Sequence, residues 1–244
     1  IRRAAEDERT NVSSANLQLS AGMAIGGLAS VDQALIIEVD RMTATATSGV
    51  VAIDSVSDAL QIGSTTVAVD VALATQTTGF ESWTTSQLVA GAGNVVVQGQ
   101  GSLTLEAIPA GVTLDVNGNL FISSVTGFTI DGDVDLSGGS AHLQSGGAFT
   151  LNGDLDLAGT GTVLIDAGDT FSQAADASLT TTDLDAVIAA TNTLSISHAD
   201  LGTGDLALTA GGAITRPSTA PATQLNAQFI RLESGANIGS VAEP

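Results

Sequence analysis

Apolar and polar residues alternate in short segments along most of the chain, and Gly, Asn, Asp, Ser and Thr separate one segment from the next. Alternation with a period of two residues predicts β-strands that bury one face. Helical periodicity is scarce, so the pattern predicts an all-β protein. The predicted strands cover residues 17–19, 35–39, 50–53, 66–73, 94–97, 103–105, 112–116, 120–122, 163–165, 194–196, 206–208 and 229–232.

The clearest internal repeat is direct: residues 128–136 read FTIDGDVDL, and residues 149–157, 21 positions later, read FTLNGDLDL. Apolar, turn and polar residues keep the same order in both copies. A more distant repeat relates residues 16–25 to residues 205–214. Self-similarity at a period of about 20 residues is typical of solenoids, in which each coil buries its apolar face against its neighbours.

A shorter unit, glycine followed by Asn or Asp and then an aliphatic residue, also recurs along the chain. Because these residues tolerate left-handed backbone angles, each unit predicts a corner at which the chain turns into a new strand. An Asp-Gly pair also occurs in two-residue hairpins, which would give an antiparallel sandwich or barrel. The direct repeat favours stacked parallel coils. The units begin at Gly93, Gly118, Gly132, Gly153 and Gly204.

These patterns together predict a parallel β-solenoid. At about 20 residues per coil and about 4.8 Å per stacked strand, the chain would make about a dozen coils and a rod on the order of 60 Å long. Short helical turns are predicted at two corners, in residues 183–190 and 86–90. Residues 1–11 have no strand pattern and are predicted to be irregular. Residues 12–244 are predicted to form one continuous solenoid, which we expect to be a piece of a longer shaft.

Composition narrows the possible functions. The chain has 26 acidic residues and six arginines, a formal charge of -20, which disfavours binding to nucleic acid or to anionic membranes. Hydrophobic residues make up 43% but aromatic residues only 3%, so the core must be mainly aliphatic. The absence of cysteine excludes disulfides and thiolate metal sites. No apolar run approaches the roughly 18 residues of a membrane span, so no membrane insertion is expected.

Several segments resemble the filamentous-haemagglutinin-like exoproteins, large bacterial surface adhesins of the two-partner secretion type. They are residues 17–26 (LQLSAGMAIG), residues 206–214 (LALTAGGAI), residues 235–244 (GANIGSVAEP) and the Thr-Thr corner elements at 84–88 and 181–184. The resemblance implies a right-handed parallel β-helix that is secreted to the cell surface. It also implies a shaft that presents adhesive or spacer surface without catalysis.

Four carboxylates in the direct repeat are candidate calcium ligands. Asp133 and Asp135 alternate with aliphatic residues, and Asp154 and Asp156 occupy the same positions in the second copy. If the aliphatic residues face inward, the four carboxylates form an outward lattice with neighbours roughly 5 to 7 Å apart. Ca²⁺ would relieve the repulsion between them with the oxygen ligands that it prefers. We expect a solvated acidic face that binds calcium weakly at most.

Other candidate chemistry is sparse. The segment that begins at Asp131 is not an EF-hand, because Leu136 and His142 occupy the sixth and twelfth positions. Without Lys, and with a single Trp, the chain lacks the cationic base of a polysaccharide lyase and the aromatic platforms of a glycoside hydrolase. Thr43 and Thr45 alternate with Ala as in flat ice-binding arrays, but the sequence shows no repetition of such an array in register. We therefore expect no enzyme, no catalytic residue and no cofactor.

The function expected from the sequence is structural and adhesive. The chain would be a shaft segment of a large secreted or surface-attached bacterial protein, located outside the cell or on its surface. Its partners would be other cell surfaces, a matrix or its own copies, joined end to end, because open coil ends are unpaired sheet edges. Two alternatives are a calcium-stabilised surface binding module and a carbohydrate-active β-helix enzyme.

Overall fold

The computed structural model describes residues 10–27, 33–72, 78–85, 88–91, 93–108, 114–217 and 224–239. Most of the predicted irregular segment 1–11 and residues 86 and 87 of the predicted helical turn lie outside these ranges. Strands account for most of the described residues, and almost no helix is present among them.

The first half of the chain forms β1 (Val12–Ala21), β2 (Leu35–Ala46), β3 (Val51–Ser55), β4 (Ala59–Ile62), β5 (Thr65–Ala72), β6 (Thr78–Thr85), β7 (Leu88–Ala90), β8 (Val95–Gly99), β9 (Ser102–Leu105), β10 (Leu114–Asn117), β11 (Leu120–Ser124), β12 (Gly127–Ile130) and β13 (Val134–Gly138). The second half forms β14 (Ala141–Ser145), β15 (Ala148–Leu151), β16 (Leu155–Leu157), β17 (Thr162–Ala167), β18 (Phe171–Gln173), β19 (Leu179–Thr181), β20 (Asp185–Ala190), β21 (Leu194–Ser195), β22 (His198–Asp200), β23 (Leu206–Ala210), β24 (Ile214–Thr215), β25 (Gln224–Asn226) and β26 (Ile230–Ser234).

From β7 onward each strand pairs in parallel with the third strand after it, one coil later, and β3 and β4 pair in the same way with β8 and β9; these pairings build a rod with three faces. The long face consists of β3, β8, β11, β14, β17, β20, β23 and β26. The hydroxyl face consists of β4, β9, β12, β15, β18, β21 and β24, and the carboxylate face of β7, β10, β13, β16, β19, β22 and β25. The last two are named after their outward residues. Strand β2 is long enough to pair with β3, β4 and β7 in turn.

This architecture confirms the predicted all-β parallel solenoid, and the antiparallel alternative is wrong for its 24-stranded sheet. The predicted number of coils is also wrong, because the rod has about eight coils instead of a dozen. Equivalent corner residues lie 20 to 25 positions apart in most coils, and the coil that contains β5 and β6 takes 44 residues, from Val51 to its register partner Val95, so fewer coils form than the estimate assumed. At about 4.8 Å per coil the rod is about 40 Å long.

An antiparallel hairpin interrupts the first complete coil. Strands β5 and β6 pair with each other between β4 and β7, and β5 lies against β1. An ion pair holds the base of this hairpin: the Arg41 guanidinium contacts the Glu106 carboxylate and also donates to Gln61 Oε1 at 2.9 Å and to Ser64 O at 3.2 Å. Ser64 immediately precedes β5, so one arginine joins neighbouring coils at the point where the hairpin leaves the rod.

The helix predicted at residues 183–190 is wrong, because this segment contains strand β20. Leu184, Ala186, Ile188 and Ala190 are buried, whereas the residues between them are exposed or half-buried. Alanine and leucine favour helix locally, but β17 and β23 pair with β20 on its two sides and fix an extended conformation. Of the predicted helical turn 86–90, the described part, Leu88–Ala90, is strand β7.

The core is a continuous aliphatic column along the axis of the rod, with three phenylalanines stacked in it. The rings of Phe128 and Phe149 meet edge to face at a centroid distance of 4.9 Å, and those of Phe149 and Phe171 stack at 5.6 Å. All three are inward residues of the hydroxyl face, and Leu103 and Leu194 continue the column on either side. The near absence of aromatic residues from the sequence is therefore compatible with a dense core.

The predicted corners are confirmed: β8, β11, β13, β16 and β23 each begin one residue after a Gly-Asn or Gly-Asp pair. The predicted reason for the glycines is wrong, because none of the five has a positive φ. A Cβ atom on Gly118 would lie 2.4 Å from Gly93 O in the coil before it, and one on Gly93 would lie 2.3 Å from Gly49 O. Close approach of successive coils, not left-handed backbone, requires glycine at positions 93, 118, 153 and 204.

Polar side chains hydrogen-bond from coil to coil at the same corner. Asn94 Oδ1 accepts from Asn119 N at 2.8 Å, and Asn119 Oδ1 accepts from Ser140 N at 2.9 Å. Ser140 Oγ continues the series by accepting from Thr162 N at 3.2 Å. Each side chain satisfies a backbone N–H of the next coil, so the corner glycines and the residues after them align the stack together.

Candidate functional site

The carboxylate face brings three acidic residues into one outward column. Asp115, Asp135 and Asp156 are register partners on β10, β13 and β16, and Thr180 follows them on β19. Register partners on neighbouring parallel strands lie about 4.8 Å apart. The structure thus places the predicted residues Asp135 and Asp156 side by side, and it adds Asp115, which the sequence repeat does not include.

The other two predicted ligands occupy a corner. Asp133 Oδ1 accepts from Asp154 N at 3.1 Å, and Asp154 Oδ1 accepts from Ser178 N at 2.9 Å and from Ser178 Oγ at 2.8 Å. These two carboxylates therefore satisfy polar groups of the next coil, as the corner asparagines do. The predicted two-by-two lattice divides into an outward column and a corner ladder with different hydrogen bonding.

The environment disfavours ionisation of the outward column. Partial burial raises the pKa of Asp135 above its ordinary value, and the charges of Asp156, Asp115 and Asp133 raise it further. Partial burial also raises the pKa of Asp156, and the charge of Asp154 adds to it, while a hydrogen bond from Thr180 acts in the opposite direction. Like charges in register weaken the pairing of neighbouring strands.

Two exposed carboxylates nearer the C-terminus behave in the opposite way. The hydrogen bond from Thr203 N, 2.8 Å long, lowers the pKa of Asp183. Asp183 also has a φ of 62°, which Asp tolerates better than most residues. Asn226 Nδ2 donates to Asp200 at 2.8 Å and, together with Gly202 N, lowers the pKa of that carboxyl. These carboxylates serve as acceptors within the fold.

A shallow groove of about 390 Å³ runs beside the outward column. Its lining combines the two carboxylates with raised pKa values, Asp135 and Asp156, with small hydroxyl residues and aliphatic side chains. Within the described ranges, no group of three or more His, Cys, Asp or Glu side chains is arranged to hold a metal ion. The groove is lined by Asp135, Leu136, Ser137, Asp156, Leu157, Ala158, Thr180, Thr181 and Thr182.

Replacing Asp135 with asparagine is expected to stabilise the protein at pH 7 by about 0.5 kcal/mol, because the change removes two like-charge contacts between strands. Since the pKa of Asp135 is raised in the folded state, its destabilising effect appears as the pH rises through that pKa and vanishes below the ordinary value. The advantage of Asp135→Asn should therefore disappear between pH 7 and pH 3.5 in urea titrations.

The matched control is Asp166→Asn, a half-buried outward position whose register partners are Gln144 and Ala189. It should show a smaller gain at pH 7. Equal gains for both variants, or a gain for Asp135→Asn that does not change with pH, would contradict the electrostatic explanation.

Calcium at millimolar concentration is expected to raise the melting temperature only modestly. A millimolar dissociation constant at a few millimolar Ca²⁺ corresponds to about 1 kcal/mol, or about 2 to 4 °C for a chain of this size. Differential scanning calorimetry with calcium and with chelator measures the shift, and Asp135→Asn should reduce it. Identical melting curves with calcium and with chelator would show that the folded chain does not bind Ca²⁺ in this range.

The hydroxyl face carries a second outward column that the sequence did not reveal. Its members are hydroxyl residues on six successive coils, half-buried or exposed, and none of them is charged. This column does not repeat the pattern of Thr43 and Thr45, because Thr45 is in register with Val89 of the carboxylate face and Thr43 is buried. Variable coil lengths hide the register, because the separation between equivalent residues changes from coil to coil. The column consists of Thr104, Thr129, Thr150, Ser172, Ser195 and Thr215.

A polar hollow of about 330 Å³ lies at the corner beside β22, where Asp176, Ser178, His198 and Gln224 contribute to its lining. Behind it the side chain of Gln173 is buried. Its Nε2 donates to Ala177 O at 2.9 Å and to His198 O at 2.7 Å, and its Oε1 accepts from the backbone of the facing coil. Because every polar atom of this glutamine is paired, its role here is to fasten two coils together.

None of the described residues forms a helix long and apolar enough to cross a membrane. No protein-family model, curated protein or solved structure matches the chain.

Proposed function

We propose that the chain is a structural and adhesive shaft segment of a large secreted or surface-attached bacterial protein, located on the cell surface or outside the cell. The observation that carries this proposal is the regular three-faced rod, in which one face presents hydroxyl residues on six successive coils and another presents three carboxylates on adjacent coils. Such a rod provides a long repetitive surface, as the filamentous-haemagglutinin-like resemblance implies.

The distribution of outward residues supports contact through the hydroxyl face. Asp115, Asp135 and Asp156 give the carboxylate face a line of negative charge, which repels the acidic surfaces of most cells and of other copies. Thr129 and Thr150 belong to an uncharged column, which can approach a surface without that repulsion and offers hydroxyl donors and acceptors. Adhesion would then use many weak contacts spread along the rod.

A catalytic role receives less support from the described surface. Asp135 and Asp156, two neighbouring outward carboxylates, lie in an open groove, and the pKa values of both move in the same direction. An acid and base pair in a glycoside hydrolase requires environments that separate the two pKa values. A calcium-stabilised binding module is the other alternative, and calorimetry with and without Ca²⁺ tests it.

Beads coated with the purified chain provide the test of adhesion. We expect them to bind cultured epithelial cells or bacterial cells more strongly than beads coated with an acidic globular protein of similar charge. The variant T129E/T150E, which places two charges on the hydroxyl face, should reduce bead retention severalfold. The control Gln144→Glu places its charge on the long face and should have little effect. Retention equal to that of the acidic control protein would contradict the proposal.

A further inference from the structure

The long face carries an outward column of apolar side chains in the middle of the rod. Its members lie on successive coils, and register pairing places each one beside the next. Phe121 and His142 meet edge to face in this column at a centroid distance of 5.1 Å, and Val187 is 40% exposed. We name the column the apolar stripe; it consists of Val96, Phe121, His142, Leu164, Val187 and Ala207.

Polar residues border the apolar stripe on both sides, and their chemistry changes half-way along it. Beside the first three coils the border is uncharged and consists of Asn94, Gln98, Asn119, Ser123, Ser140 and Gln144. Beside the last three coils it includes three carboxylates, Asp166, Asp185 and Asp205. One half of the border therefore offers amide donors, and the other half offers charged acceptors.

A second copy turned end for end matches this arrangement. Consider a two-fold axis that runs parallel to the strands and crosses the apolar stripe between His142 and Leu164. Phe121 of one copy then lies opposite Val187 of the other, and each pair forms twice. The same axis places every bordering carboxylate opposite an amide: Asp166 opposite Gln144, Asp185 opposite Asn119, and Asp205 opposite Asn94.

Two rods that lie side by side in the same direction lack this complementarity. They would bring together the halves of both stripes that Asp166, Asp185 and Asp205 border, where like charges repel. The turned arrangement keeps these carboxylates apart, which matters for a chain with a formal charge of -20. Salt at about 0.15 M screens the remaining repulsion between charges more than about 8 Å apart.

We propose that two copies of the chain associate side by side and antiparallel through the apolar stripe. The contact would extend roughly 29 Å along six coils and roughly 20 Å across three outward columns, or about 1,200 Å² on the two copies together. This area is at the lower end for specific interfaces, so the dimer should be weak and reversible. Further coils at either end of the rod would leave this contact in place. The proposal does not depend on the proposed adhesive function.

Charges placed on the apolar stripe test the pairing. Sedimentation equilibrium from micromolar to millimolar concentration should show a monomer–dimer equilibrium for the unmodified chain. F121K places a lysine opposite Val187, and V187E places a glutamate opposite Phe121, so each variant alone should dimerise about tenfold more weakly. In an equimolar mixture the lysine of one chain meets the glutamate of the other, and a heterodimer of nearly the original strength should form. The control Thr129→Lys puts its charge on the hydroxyl face and should dimerise like the unmodified chain.

The mixture is the decisive condition, because a loss of folding stability cannot make two weakened variants bind each other. It also fixes the direction of the rods, since rods in the same direction place each position opposite itself. Circular dichroism should show that both variants keep the fold, because Phe121 is only half-buried and Val187 is exposed. A strictly monomeric unmodified chain, equal weakening by Thr129→Lys, or a mixture no stronger than its components would each overturn the proposal.

A second pair of variants tests the border and leaves the apolar stripe intact. Gln144→Arg places a guanidinium opposite Asp166 of the other copy and should strengthen dimerisation severalfold. Gln98→Arg changes the net charge equally but lies opposite Thr209, so its effect should be smaller. Equal effects of the two substitutions would contradict the proposed alignment.

Discussion

Replacing Phe149 with alanine is expected to lower the free energy of unfolding by about 3 to 5 kcal/mol. Phe149 is fully buried between Phe128 and Phe171, so truncation opens a cavity at the centre of the stacked column and removes both ring contacts. Urea titration followed by circular dichroism measures the change. For a chain of this length the melting temperature should fall by about 10 °C.

Two variants serve as controls for this prediction. Phe149→Leu keeps most of the apolar volume and should cost roughly half as much as Phe149→Ala. Phe121→Ala removes a ring that is half-buried on the outer side of the long face, where it meets His142 edge to face, and should cost about 1 kcal/mol or less. If Phe121→Ala proved as destabilising as Phe149→Ala, the assignment of inward and outward positions would be wrong.

Replacing Gly118 with alanine is expected to cost about 3 kcal/mol, the upper part of the usual range for overpacking. The added Cβ would lie 2.4 Å from Gly93 O and 2.9 Å from Asn94 Oδ1. A backbone carbonyl cannot move aside without separating two coils, and the displaced Asn94 would lose its hydrogen bond from Asn119 N. Hydrogen exchange should increase first at this corner, because each coil depends on its nearest neighbours.

Gly127→Ala is the matched control for the corner glycine. A Cβ at this position would meet only Ala148 O, at 3.7 Å, and its backbone has no positive φ. Alanine there should be neutral or slightly stabilising, by up to about 1 kcal/mol, because it reduces the freedom of the unfolded chain. Equal losses for Gly118→Ala and Gly127→Ala would contradict close approach of the coils as the reason for glycine at corners.

Much of the fold can be predicted from local alternation and the direct repeat. The 21-residue repeat predicts the register of two adjacent coils correctly. Phe128 and Phe149 occupy the same inward position on these coils, and Asp135 and Asp156 occupy the same outward position. The predicted helix at residues 183–190 fails because pairing on both sides of β20 outweighs local helix propensity. Propensity is a weak guide where a strand is held by two neighbours.

The outward columns are harder to predict, since they depend on the register between coils of different length. Asp115 joins Asp135 and Asp156 on the carboxylate face, yet it lies outside the direct repeat. Thr104, Thr129 and Ser195 belong to one column of hydroxyl residues, although their separations in sequence differ. Because the corners between strands differ in length from coil to coil, the members of such a column do not recur at a fixed spacing in the sequence, and no local pattern reveals them.

Double electron–electron resonance between two nitroxide labels on the hydroxyl face tests most directly whether successive coils stack in parallel. The chain has no cysteine, so Thr104→Cys and Thr215→Cys create a unique pair five strand spacings apart, or about 24 Å along the rod. Moving the first label to Thr129 should shorten the distance by one spacing, about 4.8 Å. If the fold is a parallel solenoid, both label pairs should give narrow distance distributions, and the two distances should differ by one strand spacing. A broad distribution, or two distances that do not differ by one strand spacing, would contradict the account.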